Sequence, residues 1–144
     1  MPRVQGHPNR LGILGWVGGG RWGLERYLYT VHRVTGLGLL LYFLMHILVT
    51  TSRAFGPEAW SKAMGSVTGP LFTFGEYLVF AAFAFHAVNG IRLVIVELGW
   101  GVGKPIEPVY PYRTSVDAQR FLAIGALMVA GIIAILGAVD LFLG

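Results

Sequence analysis

The sequence predicts an all-α integral membrane protein with three transmembrane helices, and three observations carry that reading. The 144 residues are 55% hydrophobic and 12% charged, against about 25% charged residues in ordinary soluble domains, and the mean hydropathy is +0.65. Three stretches stay apolar long enough to cross a bilayer, which takes roughly 20 residues of helix. Basic residues are shared unevenly among the segments that join those stretches. Backbone N–H and C=O groups cannot be left unpaired in hydrocarbon, so such spans are helices that satisfy their own ladders.

The chain reads as a single membrane domain over 1–144. Its opening segment, 1–28, is polar and glycine-rich and has no apolar leader run, so a cleavable signal is not expected. The first span falls at about 29–52, where Val34 to Ser52 is uncharged between Arg33 and Arg53. Phe55-Gly56-Pro57 and Thr68-Gly69-Pro70 then bracket a short piece, Glu58 to Val67. That piece suits an amphipathic interfacial helix with Trp60 at headgroup level. The second span, about 71–98, is interrupted by Glu76, Arg92 and Glu97 near its ends. Gly101 to Tyr112 (GVGKPIEPVYPY) reads as an irregular connection. A serine or threonine cap around Ser115-Val-Asp-Ala is expected to start the third span. That span lies at about 117–141, with an uncharged part from Phe121 to Val139. No internal repeat is visible. Three helices bury little against one another, so a further subunit is expected to complete the core.

Orientation follows from charge. Arg3, Arg10, Arg21, Arg26 and Arg33 precede or open the first span, and Lys104, Arg113 and Arg120 lie in the second connection. The first connection has Arg53 and Lys62, offset by Glu58. The positive-inside rule therefore places the N-terminus in the cytoplasm and the C-terminus outside, as a multi-pass protein of the cell inner (cytoplasmic) membrane. The isoelectric point near 9.8 then reflects topology and lipid headgroups. Basic residues do not interleave with aromatics as a nucleic-acid surface would require, so no nucleic-acid partner is expected. The absence of cysteine excludes disulfides, iron–sulfur ligation and thiolate haem ligation within this chain. No dinucleotide-binding glycine pattern on a strand–helix unit is present.

His86 carries the clearest chemical signal. It sits inside FAAFAFHAVNGIRLVIVELGW, and a polar ring at that depth is costly unless something coordinates or hydrogen-bonds it. Gly90, one turn further on, removes side-chain bulk from the same face. A flat macrocycle lying against a helix needs that combination, and haem is the first candidate.

Two motifs carry a family resemblance. Tyr29-Thr30-Val31-His32-Arg33-Val34-Thr35-Gly36 resembles the His-Arg-[Ile/Val]-[Ser/Thr]-Gly signature of the cytochrome b subunit of succinate dehydrogenase, the membrane anchor of respiratory complex II. Phe85-His86-Ala87-Val88-Asn89-Gly90-Ile91-Arg92 resembles that family's His-x-x-x-Gly-Ile-Arg signature. The resemblance runs from about Arg26 to Trp100. The Asn89 form of the second motif, together with His46, is most similar to the actinobacterial and Thermus-type branch.

The resemblance implies a haem b-binding anchor that carries electrons from an iron–sulfur subunit to membrane quinone, serving electron transport and the tricarboxylic acid cycle. His86 would be an axial ligand of the haem iron, with the second imidazole supplied by a second membrane anchor subunit. Such closed ligation favours electron transfer over oxygen chemistry. His32 would contact a propionate and Arg33 would line the quinone pocket, both jobs that suit cationic donors. Arg33 also fits a snorkelling, positive-inside anchor. Many family members have a serine where this chain has Tyr29, whose phenol is also a donor. Arg92 fits a propionate partner or an interfacial anchor equally well. Gly36 and Gly90 also fit close helix packing. Succinate oxidation would belong to a flavoprotein subunit, so the chain is non-catalytic alone. A fumarate reductase anchor, a purely structural anchor and a haem-free protein relaying protons through its histidines remain as alternatives.

His46 is open at this stage. It lies about 18 Å into the first span from Val34, and His86 about 15 Å from Val96, an offset of about 3 Å at 1.5 Å per residue. It is a possible ligand of a second haem, a contact of a single haem or lipid, or a helix–helix hydrogen-bond donor. The small offset favours one haem over two.

Overall fold

The computed structural model describes residues 24–104, 107 and 118–144. Ser115, Val116 and Asp117, most of the Gly/Pro-rich connection, and Arg3, Arg10, Arg21 and Arg113 lie outside them. Among the described residues the chain is helical without strands. Three long helices are each apolar and long enough to cross a membrane: α1 (Leu24–Thr51), α3 (Pro70–Glu97) and α4 (Arg120–Leu143). A short helix, α2 (Pro57–Ser66), follows a 3-10 turn at Ser52–Phe55. The long helices measure about 42, 42 and 36 Å at 1.5 Å per residue, more than the roughly 30 Å hydrocarbon core.

Two Gly-Pro pairs set the break between α1 and α3. Gly56 and Gly69 have φ of 101° and 116°, a region open to glycine and strained for other residues. The prolines that follow occupy the first turns of α2 and α3, where a missing N–H costs nothing and the fixed φ favours the helix. No side chain of α2 is buried. The Arg53 guanidinium lies over the Trp60 ring, 4.3 Å from its centroid, tying the turn to α2.

The bundle is inverted relative to a soluble protein. Among the described residues the buried apolar ones are Leu28, Ala84, Ala123 and Ala130, while leucines, phenylalanines and isoleucines cover the outside. In lipid nothing drives large apolar side chains inward, and small residues allow close packing of backbones. α3 packs most extensively against α4 and also against α1. Gly137 on α4 faces Phe80, and a Cβ there would collide with that ring. Tyr77 meets Phe142 edge-on nearby, with centroids 5.6 Å apart.

Candidate functional site: a histidine pair beside an apolar groove

α1 and α3 are antiparallel, and their register is fixed by two histidines packed on two glycines. A Cβ on Gly36 would come 2.9 Å from Cε1 of His86, and a Cβ on Gly90 would come 3.6 Å from Cε1 of His32. Each imidazole therefore lies where the opposite helix carries no side chain. The two rings stack on each other, with centroids 3.9 Å apart and planes 6° apart.

The hydrogen bonds assign the His86 tautomer. Its Nδ1 lies 3.1 Å from the backbone carbonyl oxygen of His32 and 3.3 Å from the Thr35 hydroxyl. A carbonyl only accepts, so Nδ1 carries the proton. The Thr35 hydroxyl donates back to the Val31 carbonyl at 2.8 Å and accepts from His86. The lone pair is thereby left on Nε2, and a backbone carbonyl holds the ring, the arrangement that typically orients a metal-ligating imidazole. His86 also lines a groove of about 650 Å³ between α1 and α3, within the 300–1,000 Å³ range of cofactor and ligand pockets. Leu39, Leu40, Phe43, Val79, Phe80 and Phe83 form its apolar walls, with Tyr42 and Glu76 toward the other end. The groove is open rather than enclosed.

Among the described residues, His32 Nδ1 is buried without a partner. Arg33 is exposed and lies over Tyr29, its guanidinium 5.5 Å from the ring centroid and its NH1 donating to the phenol oxygen at 3.4 Å. Tyr29 and Arg33 thus form one exposed donor pair beside His32. Arg92 points elsewhere. It is 4% exposed and donates through Nε to Asn89 Oδ1 at 2.9 Å and through NH1 to Gln119 Oε1 at 2.7 Å, so its guanidinium ties α3 to the start of α4. Glu25 and Arg120 form an ion pair from α1 to α4 at 3.0 Å, and that guanidinium holds the Glu25 carboxyl below the ordinary glutamate range.

His46 is exposed, its ring tilted against Tyr42 at 5.7 Å between centroids, and it is absent from the groove lining. The register moves it far from His86. Gly36 is level with His86, and His46 lies ten residues beyond Gly36, so the offset is about 15 Å along the helices. The sequence-based figure of about 3 Å took Val34 as the inner end of the first helix, whereas α1 begins at Leu24.

Sequence reasoning missed the parts played by Thr35, Asn89, Gln119, Glu25 and Arg120. Asn89 had a signal, a polar amide within an apolar span. Gln119 and Glu25 lie at helix ends, where polar residues are ordinary, and nothing in the sequence pairs them with Arg92 or Arg120.

Similarity to known proteins agrees with these features. The sequence pattern of the succinate dehydrogenase/fumarate reductase transmembrane subunit family matches residues 17–135. The succinate dehydrogenase 2 membrane subunit SdhC of Mycobacterium tuberculosis is 27% identical over 75 residues, 52% of this chain and 54% of that protein. The succinate dehydrogenase hydrophobic membrane anchor subunit of Halobacterium salinarum is 29% identical over 87 residues, 58% of this chain and 67% of that protein. The match to the first of these thus spans about half of its length. No solved structure matches the chain. With that pattern covering most of its length, this chain belongs to the succinate dehydrogenase/fumarate reductase transmembrane subunit family.

Proposed function

We propose that this membrane anchor subunit binds haem b through His86 and conducts electrons from an iron–sulfur subunit to membrane quinone in a succinate:quinone oxidoreductase. The observation that carries the reading is the His86 ring: its Nδ1 proton is committed to the His32 carbonyl, and the residue borders an apolar groove of about 650 Å³. The donor set fits the group. His86 Nε2 is left with its lone pair, Gly36 leaves the room that the ring needs, and the groove is open rather than enclosed. When bound, the haem would supply reversible one-electron transfer.

The other residues act around that centre. The His32 carbonyl and Thr35 hydroxyl fix the His86 tautomer and ring plane, while the His32 ring packs against His86. Arg33 and Tyr29 offer a cation and a phenol at the cytoplasmic end of α1, where a quinone oxygen gains negative charge on reduction. Arg33 lies on the exposed surface rather than in the helix packing, which suits a pocket completed by the iron–sulfur subunit. The N-terminus is cytoplasmic by the positive-inside rule, in the inner membrane, and the flavoprotein subunit that oxidises succinate docks on the same side. The whole chain, 1–144, acts as one anchor domain.

A reduced-minus-oxidised absorbance spectrum of the purified complex tests the reading. A b-type α band supports it. A flat spectrum removes haem from the account and leaves a structural or proton-conducting anchor.

A further inference from the structure

The second motif of this chain ends in a cation that the groove does not use. Arg92 is 4% exposed, and its partners Asn89 and Gln119 are 2% and 7% exposed. Both partner atoms are neutral amide oxygens. Among the described residues no carboxylate lies within ion-pair distance of this guanidinium. Asn89 Nδ2, on the amide that holds the guanidinium, is itself buried without a partner among the described residues. A buried cation without a contacting anion is expensive, and amide dipoles meet only part of that cost. The position of Arg92 along α3 gives it a use. It lies six residues from His86, about 9 Å along the helix axis, and its side chain is turned toward α4, away from the groove face.

We infer that Arg92 is a fixed buried charge that raises the reduction potential of the group held by His86, acting through space rather than by contact. This inference rests on the haem reading above. Reduction adds one electron and lowers the local net charge by one, so a positive charge in low dielectric favours the reduced form. The guanidinium and the groove lie on different sides of α3, so the charge sits about 15 Å from the group once a helix diameter of about 10 Å is added to the rise. At an effective dielectric near 20, a unit charge at that distance shifts such an equilibrium by roughly sixfold. Asn89 and Gln119 are positioning residues: they hold the guanidinium at one distance, so the bias is constant through turnover. Glu25 supplies the opposite term. Its carboxylate feels the charge of Arg92, but it is paired with Arg120 and partly exposed, so its own effect is smaller.

Redox titration of the haem in the intact complex, followed by absorbance, tests this through midpoint potentials. Arg92→Gln is expected to lower the ratio of reduced to oxidised haem at a fixed ambient potential about sixfold, which for a one-electron couple at about 59 mV per tenfold is about 45 mV. Arg92→Lys, which keeps the charge, should stay within about twofold of the parent. Glu25→Gln should move the potential the other way, by less than Arg92→Gln does. An unchanged midpoint in Arg92→Gln overturns the inference, as do equal shifts in the Gln and Lys variants, which would mark a packing role. Should Arg92→Gln fail to assemble, the Lys and Glu25 variants decide between the same outcomes by retention and by sign. A parent complex without haem overturns the earlier reading, and this inference with it. A parent that holds haem while Arg92→Gln is unshifted overturns this inference alone.

Discussion

The imidazoles of His32 and His86 lie flat on each other across two helices, with centroids 3.9 Å apart. The His32 carbonyl also receives the Nδ1 proton of His86. One residue thus sets both the ring plane and the tautomer of the other. The close approach depends on Gly36, where a Cβ would come 2.9 Å from the His86 ring, whereas Gly90 leaves ordinary contact distance opposite His32.

The two glycines should respond differently to the same change. Gly36→Ala puts a Cβ 2.9 Å from His86 Cε1, so the ring must shift, at a typical overpacking cost of about 1–3 kcal/mol. Lower thermal stability and lower haem retention are expected in the purified complex. Gly90→Ala meets His32 at 3.6 Å, ordinary contact distance, and should be tolerated. Equal behaviour of the two variants would contradict the packing described.

Arg33→Leu should impair succinate-to-quinone electron transfer and leave succinate oxidation by a soluble dye, which accepts electrons upstream, largely intact. A hydrogen bond to a charged group contributes about 1.5–3 kcal/mol, so a loss of about tenfold or more in quinone reduction is expected. Tyr29→Phe removes the phenol that Arg33 touches and should give a smaller loss of the same kind. Equal loss of dye and quinone activities would assign Arg33 to assembly and membrane anchoring.

The Glu25–Arg120 pair gives a pH-dependent link between α1 and α4. Its carboxyl is held below the usual value by the Arg120 guanidinium, so the folded state favours the ionised form. The stabilisation is present above the unfolded value, about 4.3, and fades as pH falls through the lower folded value. Arg120 is 49% exposed, which keeps the effect to about 1 kcal/mol or less. The parent complex should melt slightly above Glu25→Gln at neutral pH, and the difference should close in acid. A gap that widens in acid would contradict the pairing.

The three spans were legible because each is a long apolar run, and the helix breaks were legible because Gly56-Pro57 and Gly69-Pro70 admit little else. Two short motifs singled out His32 and His86, and the fold brings those two together. Depth was not. Charge at Arg33 marks where lipid-facing sequence starts, yet the helix continues inward to Leu24, and that difference separates offsets of about 3 and 15 Å for His46. The direction of Arg92 was also hidden, because its partner Gln119 lies 27 residues away, and no periodic pattern joins two helix ends.

The small offset that favoured a single haem no longer holds; because His46 lies outside the groove lining, the prediction is that it ligates no haem. His46→Ala should leave haem content and spectrum unchanged. Loss of half the haem, with the remainder spectroscopically intact, would instead make His46 the ligand of a second group.

Haem stoichiometry in His86→Ala tests the central claim most directly. In the purified complex, with subunit composition checked on the same sample, the parent is expected to contain haem with a low-spin b-type spectrum. The variant should lose most of that haem, or retain it as high-spin iron with one axial imidazole missing. Unchanged haem content together with an unchanged low-spin spectrum in His86→Ala would contradict the account.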